Sequence, residues 1–184
     1  NFLRDATADE LFAAEDFISH PSYNEFNYNN DICVIKLDRD VIYSATVSPV
    51  CLDESIAHNG GFPNFIAGWG QTKAGGVKKN FISEAPVESL RRSECKEFLP
   101  DEFLKKKMFC SRGTAGAHVR TCDGDAGGPH ISWSDGSPVL TGVLSWASDC
   151  GTDEAFSIVT NVKDHLDFVA HAVAQLEIFE LEPF

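Results

Sequence analysis

Short runs of β-branched and aromatic residues, each closed off by turn-forming residues, limit the folds open to this chain more than any other feature. Residues 31–37 (Asp-Ile-Cys-Val-Ile-Lys-Leu), 64–67 (Asn-Phe-Ile-Ala), 138–144 (Pro-Val-Leu-Thr-Gly-Val-Leu) and 157–162 (Ser-Ile-Val-Thr-Asn-Val) are each of strand length. Branched side chains pack well on a pleated, half-buried surface, and short strands recurring in this way predict a β-sandwich or barrel. Two helical stretches interrupt the pattern, one near Ser93 to Lys107 and one near Lys163 to Leu176. In the second, Leu166, Val169, Val173 and Leu176 recur at three- and four-residue spacing, which predicts one face packed on the body of the protein. The acidic-apolar tail from Leu176 to Phe184 is compatible with docking, with extending the helix or with staying loose.

The chain of 184 residues is 43% hydrophobic, enough to bury a core in one or two compact domains. A formal net charge of −13 argues against nucleic acid as a partner, because phosphate binding needs clustered cations to displace counterions. The one basic cluster, Lys105-Lys106-Lys107, reads as a solvated helix face. No apolar run is long enough to span a bilayer, so no membrane association is expected. The six cysteines Cys33, Cys51, Cys95, Cys110, Cys122 and Cys150 lack zinc-ligand spacing, and disulfides are the better reading. Disulfides persist in oxidising compartments, which predicts a secreted, extracellular protein. No cofactor or metal is expected: Asp9, Glu10, Glu15 and Asp16 read as scattered surface carboxylates.

The segment Thr121-Cys122-Asp123-Gly124-Asp125-Ala126-Gly127-Gly128-Pro129 resembles the Gly-Asp-Ser-Gly-Gly-Pro nucleophile loop of the trypsin/chymotrypsin family of serine proteases, with alanine at the serine position. Asn29-Asn30-Asp31-Ile32 followed by Val34-Ile35-Lys36-Leu37 resembles the family's triad-aspartate strand, and Gly68-Trp69-Gly70-Gln71-Thr72 its interdomain turn. Val47 to Leu52, Met108-Phe109-Cys110 and Leu144-Ser145-Trp146-Ala147 extend the likeness, in order, over essentially the whole chain.

The resemblance implies an all-β fold of two antiparallel barrels closed by a C-terminal α-helix. Residues 1–60 would be the remainder of a first barrel, incomplete in this chain, residues 61–162 the second barrel, and residues 163–184 the helix and tail. The family's histidine-bearing segment is expected upstream of Asn1, making this an N-terminally truncated protease domain. The resemblance further implies disulfides Cys95–Cys110 and Cys122–Cys150. Another family disulfide is replaced at both ends, by Asn64 and Ser132. Cys51 matches a cysteine that ties the domain to an upstream segment, and Cys33 is expected as a buried free thiol.

The family's mechanism needs a serine to attack, a histidine to take its proton and an aspartate to orient the histidine. By resemblance Asp31 is the triad aspartate, Ala126 stands inert at the serine position, and the amides of Gly124 and Ala126 would form the oxyanion hole. Arg120, Ser145, Trp146, Ala147 and Ser157 would line the specificity pocket. Arg120 stands where a trypsin has aspartate, and Ala147 and Ser157 replace wall glycines, so a filled or rearranged pocket is expected. Asp125 in active members pairs with a new N-terminal ammonium, and here Arg120 or an upstream chain is expected to supply that charge, because a buried unpaired carboxylate is costly. None of His20, His58, His118, His130, His165 and His171 matches a catalytic position. These features point to an inactive homologue acting through a protein partner. The alternative is the larger fragment, or a Ser→Ala form, of an active endopeptidase. Open strand edges also allow a homo-oligomer or a bound N-terminal chain.

Overall fold

The computed structural model describes residues 10–58, 61, 63–71, 74–99, 106–114, 121–148, 152 and 156–178. Strands β1 (Ala14–Ser19) and β2 (Cys33–Leu37) form an antiparallel pair. Strands β3 (Asn64–Gly68), β4 (Ser83–Ser89), β5 (Met108–Gly113), β6 (Pro129–Ser134), β7 (Ser137–Ser148) and β8 (Phe156–Asn161) close into one antiparallel barrel in the spatial order β3-β4-β5-β8-β7-β6. All four predicted runs fall on strands β2, β3, β7 and β8. Closure leaves this second sheet without a free edge, whereas the β1–β2 pair has no such protection.

Two apolar clusters hold the barrel. Ile66, Val87, Phe109, Leu144 and Val159 fill the interior. Leu90, Cys95, Leu99, Met108, Cys110, Phe156 and Ile158 pack a short helix, α1 (Arg92–Phe98), onto the outside of β5 and β8. The expected Cys95–Cys110 disulfide is present inside this second cluster, with its Cα atoms 6.1 Å apart. Helix α1 ends well before Lys107, contrary to the sequence expectation. Leu99 is extended (φ −124°, ψ 133°), as the residue before a proline must usually be, and Pro100 follows it.

The far end of the barrel interior is polar, at the positions where the resemblance implies a lost disulfide. The Ser132 hydroxyl donates to Asn64 Oδ1 at 2.6 Å, and Asn64 Nδ2 donates to the His58 carbonyl at 3.2 Å. Thr141 Oγ1 donates to the His130 carbonyl at 3.2 Å and lies 2.9 Å from His130 Nδ1 and 3.1 Å from Ser132 Oγ. With Thr141 donating to the carbonyl, His130 Nδ1–H is the donor to Thr141 and Nε2, 3.4 Å from Ser89 Oγ, is the acceptor. A fully buried neutral imidazole is thereby satisfied at both nitrogens.

A single 3-10 turn (Lys163–His165) leads into helix α2 (Leu166–Ile178). Its buried residues are Ala172 and Leu176, following His165, with Leu166, Phe168 and Val169 half-buried. Val173, predicted on the packed face, is 41% exposed, because the buried stripe runs through Ala172 instead. Helix α2 packs on both β1 and β2. His20 contributes, its ring 4.8 Å from Phe168 and 5.5 Å from His165. His165 sits between the turn and the loop before β2, with Nδ1 2.7 Å from the Asn161 carbonyl and Nε2 3.2 Å from Asn30 Oδ1.

The β1–β2 register pairs Phe17 with Ile35 and Ser19 with Cys33 on one face, and Ile18 with Val34 on the other. Ile18 and Val34 are half-buried, whereas Phe17 and Ile35 are 63% and 56% exposed. Cys33 lies on the open face, so it is free as expected but exposed rather than buried. Cys51 is likewise free and exposed. The expectations for Cys150, for Arg120, His118 and Lys105, and for the tail beyond Ile178 lie outside the described residues.

Candidate functional site

The loop between residues 121 and 128 owes its shape to a carboxylate turned inward. Asp125 Oδ1 accepts from the Gly70 amide at 2.8 Å and Oδ2 from the Cys122 amide at 3.0 Å. A Cβ on Gly68 would lie 2.1 Å from the Asp125 carboxylate and one on Gly70 2.2 Å, so the Gly-Trp-Gly turn must lack side chains for the carboxylate to nest there. Gly124 has φ +99°, a conformation open to glycine but not to ordinary residues. The Gly127 amide donates to the Leu144 carbonyl at 2.8 Å and the Leu144 amide to the Gly128 carbonyl at 2.9 Å, which pins the loop to β7. Ala126 is left exposed at the tip.

Asp125 is half-buried, and among the described residues its partners are backbone amides rather than a cation. Two amide donors stabilise a carboxylate directly, so the demand for a paired positive charge is weaker than the sequence suggested.

Asp31 reaches the same cleft from 114 residues away: the Ser145 hydroxyl donates to Asp31 Oδ2 at 2.6 Å. The Thr160 hydroxyl donates to the Asp31 backbone carbonyl at 2.9 Å, which fixes the strand entry on β8. The first of these contacts supplies a hydrogen bond to the Asp31 carboxylate, and no pattern in the sequence pointed to either.

Ser145, Trp146, Ala147 and Ser157 line one pocket with Gly124, Asp125 and Ala126, of about 270 Å³. The Thr121 and Ser157 hydroxyls meet at 2.5 Å across its wall. The described walls enclose open space, and Arg120, on which the expectation of a filled or rearranged pocket rests, lies outside the described residues. Ser157, where a glycine was anticipated, turns its hydroxyl to Thr121 instead of obstructing the opening. Cys122 is disulfide-bonded at the pocket's edge. Lys78, which no motif singled out, lays its stem near Gly124: a Cβ there would be 3.0 Å from Lys78 Cε.

The histidines do other work. His20 Nδ1 accepts from the Ser22 amide at 3.0 Å while its ring meets Phe168. His58 stacks on Phe109 at 3.7 Å, and Phe109 meets His130 edge-on at 5.0 Å. Burial pushes His58 down to about 4, against a smaller upward pull from Asp164, and pushes His130 down to about 3, with His58 adding to the effect. Both rings are neutral at pH 7. The cleft therefore combines a placed aspartate, a shaped loop and a pocket with a methyl group at the loop's exposed tip, and a methyl group offers no nucleophile at residue 126.

A family model described as Trypsin matches residues 2–169. The chain is similar to the suppressor of tumorigenicity 14 protein homolog of Bos taurus, at 31% identity over 157 residues covering 83% of this chain and 18% of that protein. It is also similar to a venom protease of Bombus pensylvanicus, at 29% identity over 157 residues covering 83% of this chain and 63% of that protein. A third relative, CLIP domain-containing serine protease B4 of Anopheles gambiae, is 31% identical over 177 residues, 92% of this chain and 48% of that protein. The chain spans at most 63% of the length of these relatives.

Proposed function

Since the chain belongs to the trypsin family of serine proteases, residue 126 decides what it can do, and we propose that it is a catalytically inactive, secreted member acting through binding to a protein partner. The observation that carries this reading is Ala126 at the tip of a loop otherwise shaped by Asp125, Gly124 and the Gly68–Gly70 turn. Arg120, at the sequence position of the family's pocket base, supports it, because the charge opposes the basic side chains a trypsin takes. Secretion accords with the disulfide Cys95–Cys110 and with relatives named as a venom protease and a clip-domain protease. The partner of first resort is a polypeptide segment covering the open face of β1 and β2, where Phe17 and Ile35 stand exposed; a second copy would meet that need.

A second reading has its own observation. The 2.6 Å Ser145–Asp31 contact and the open pocket are what a working enzyme needs, which favours a fragment or Ser→Ala form of an active endopeptidase. Intact mass of the native protein, reduced and non-reduced, with N-terminal sequencing separates the two. A lone chain is expected. A companion polypeptide carrying the histidine segment would overturn the inactive-homologue reading in favour of the second.

A further inference from the structure

Where β3 meets β6, the barrel wall turns polar side chains inward. Asn64, Ser132 and His130 point their polar groups inward, whereas the residues alternating with them, Phe65 and Ile131, are register partners on the outside. Trp133 continues this outer row at 47% exposure, its amide held by the Pro63 carbonyl at 2.9 Å. Pro63, Phe65, Ala67, Ile131 and Trp133 line an apolar pocket of about 390 Å³, with Glu84 the only ionisable group in its wall among the described residues. A second groove of about 750 Å³ shares Pro63 and Phe65 and runs on past Pro86 to Glu88, which is paired with Arg112 at 2.6 Å.

We propose that this outer wall is a docking site for an extended polypeptide segment carrying a bulky apolar side chain next to lysine or arginine. The continuous groove suits a peptide better than a compact ligand. The barrel is closed here, so strand addition at an edge is not available and recognition must come from a side chain entering the pocket. Charge complementarity sets the flanking residue at the pocket: Glu84 makes no ion pair among the described residues, the groove beyond it balances Arg91 and Arg112 against Glu88 and Glu94, and the chain's net charge of −13 favours a cationic partner. An aromatic or large aliphatic anchor in a pocket supplies most of the affinity at such sites, with the rim charge setting selectivity. The site lies on the outer wall of β3, β4 and β6 and does not depend on Ala126, so its failure leaves the reading of the cleft untouched.

The test is isothermal titration calorimetry at low ionic strength with the capped peptide Gly-Ser-Lys-Phe-Lys-Ser-Gly. Matched peptides carry glutamate for both lysines or serine for phenylalanine. The lysine peptide is expected to bind with a dissociation constant on the order of 100 µM, and each matched peptide about tenfold more weakly or not at all. Trp133→Ser is expected to weaken binding about tenfold, and Glu84→Lys to weaken it several-fold and remove its salt dependence, with melting temperatures confirming that both variants fold. Equal binding of lysine and glutamate peptides, no binding of the lysine peptide below about 1 mM, or unchanged affinity in Trp133→Ser would each overturn the proposal. So would a native dimer that Trp133→Ser converts to monomer, which would assign the wall to self-association.

Discussion

Acidification from pH 7 to pH 5 should destabilise this barrel through two histidines that have no catalytic part. His58 and His130 ionise near 6.5 in an unfolded chain and at about 4 and about 3 in the fold. Their folded values are depressed, so below 6.5 the unfolded state binds more protons. The stability they confer is complete above that value and is lost as the pH falls toward the folded ones. At pH 5 each ring accounts for a loss of about 2 kcal/mol. His58 keeps some contact with water, which halves its share, so the pair contributes about 3 kcal/mol. For a domain of this size that lowers the melting temperature by about 6–12 °C. His165, lowered chiefly by burial, adds in the same direction, whereas Asp53, held below its ordinary 3.8 by the Ser55 hydroxyl and amide, acts only near and below pH 4. The decisive comparison is His58→Phe, which keeps the 3.7 Å stack on Phe109 and removes a buried Nδ1 that has no hydrogen-bond partner among the described residues. Thermal melts followed by circular dichroism at pH 7.5, 6, 5 and 4.5 should show the variant at least as stable as the native protein at neutral pH and visibly less sensitive to acid. A native melting temperature that is flat from pH 7 to 5, or an unchanged pH dependence in His58→Phe, would refute the reasoning.

Replacing Cys95 and Cys110 together by serine opens a loop with a sequence separation of 15, and urea unfolding should report a loss of about 3 kcal/mol. Gly70→Ala places a methyl in the space held by the Asp125 carboxylate, and a destabilisation of about 1–3 kcal/mol is expected by the same assay, with Gly75→Ala as a control for a turn glycine that has open space around it but a positive φ. Alkylation of the native protein with iodoacetamide should add two adducts by intact mass, at Cys33 and Cys51; fewer would contradict their exposure.

Where the sequence was legible, the signal was local and apolar. The runs over residues 31–37, 64–67, 138–144 and 157–162 became strands because their side chains suit a half-buried pleat. Strand β4 gave no such signal, since Ser83–Ser89 carries Pro86 and two glutamates, and it exists because β3 and β5 pair with it on either side. Helix α1 was overextended because the run of polar and apolar residues continues past Pro100, whereas Leu99, the residue before that proline, is already extended. Cys33 was expected inside because the resemblance places it at a strand position usually held by a small apolar residue, which does not say what covers that face here. At the site, the resemblance of the loop around Ala126 and of the strand at Asp31 named the parts. The hydrogen bond from Ser145 to Asp31 and the nesting of Asp125 against Gly68 and Gly70 are tertiary facts that no local pattern encodes.

The central claim is that a trypsin-family cleft with alanine at residue 126 binds without cleaving. Initial rates on a broad fluorogenic peptide library, measured with the purified native protein at pH 8, test it most directly. Rates indistinguishable from buffer are expected for every peptide, and turnover that scales with protein concentration and survives repurification would show that the cleft cleaves.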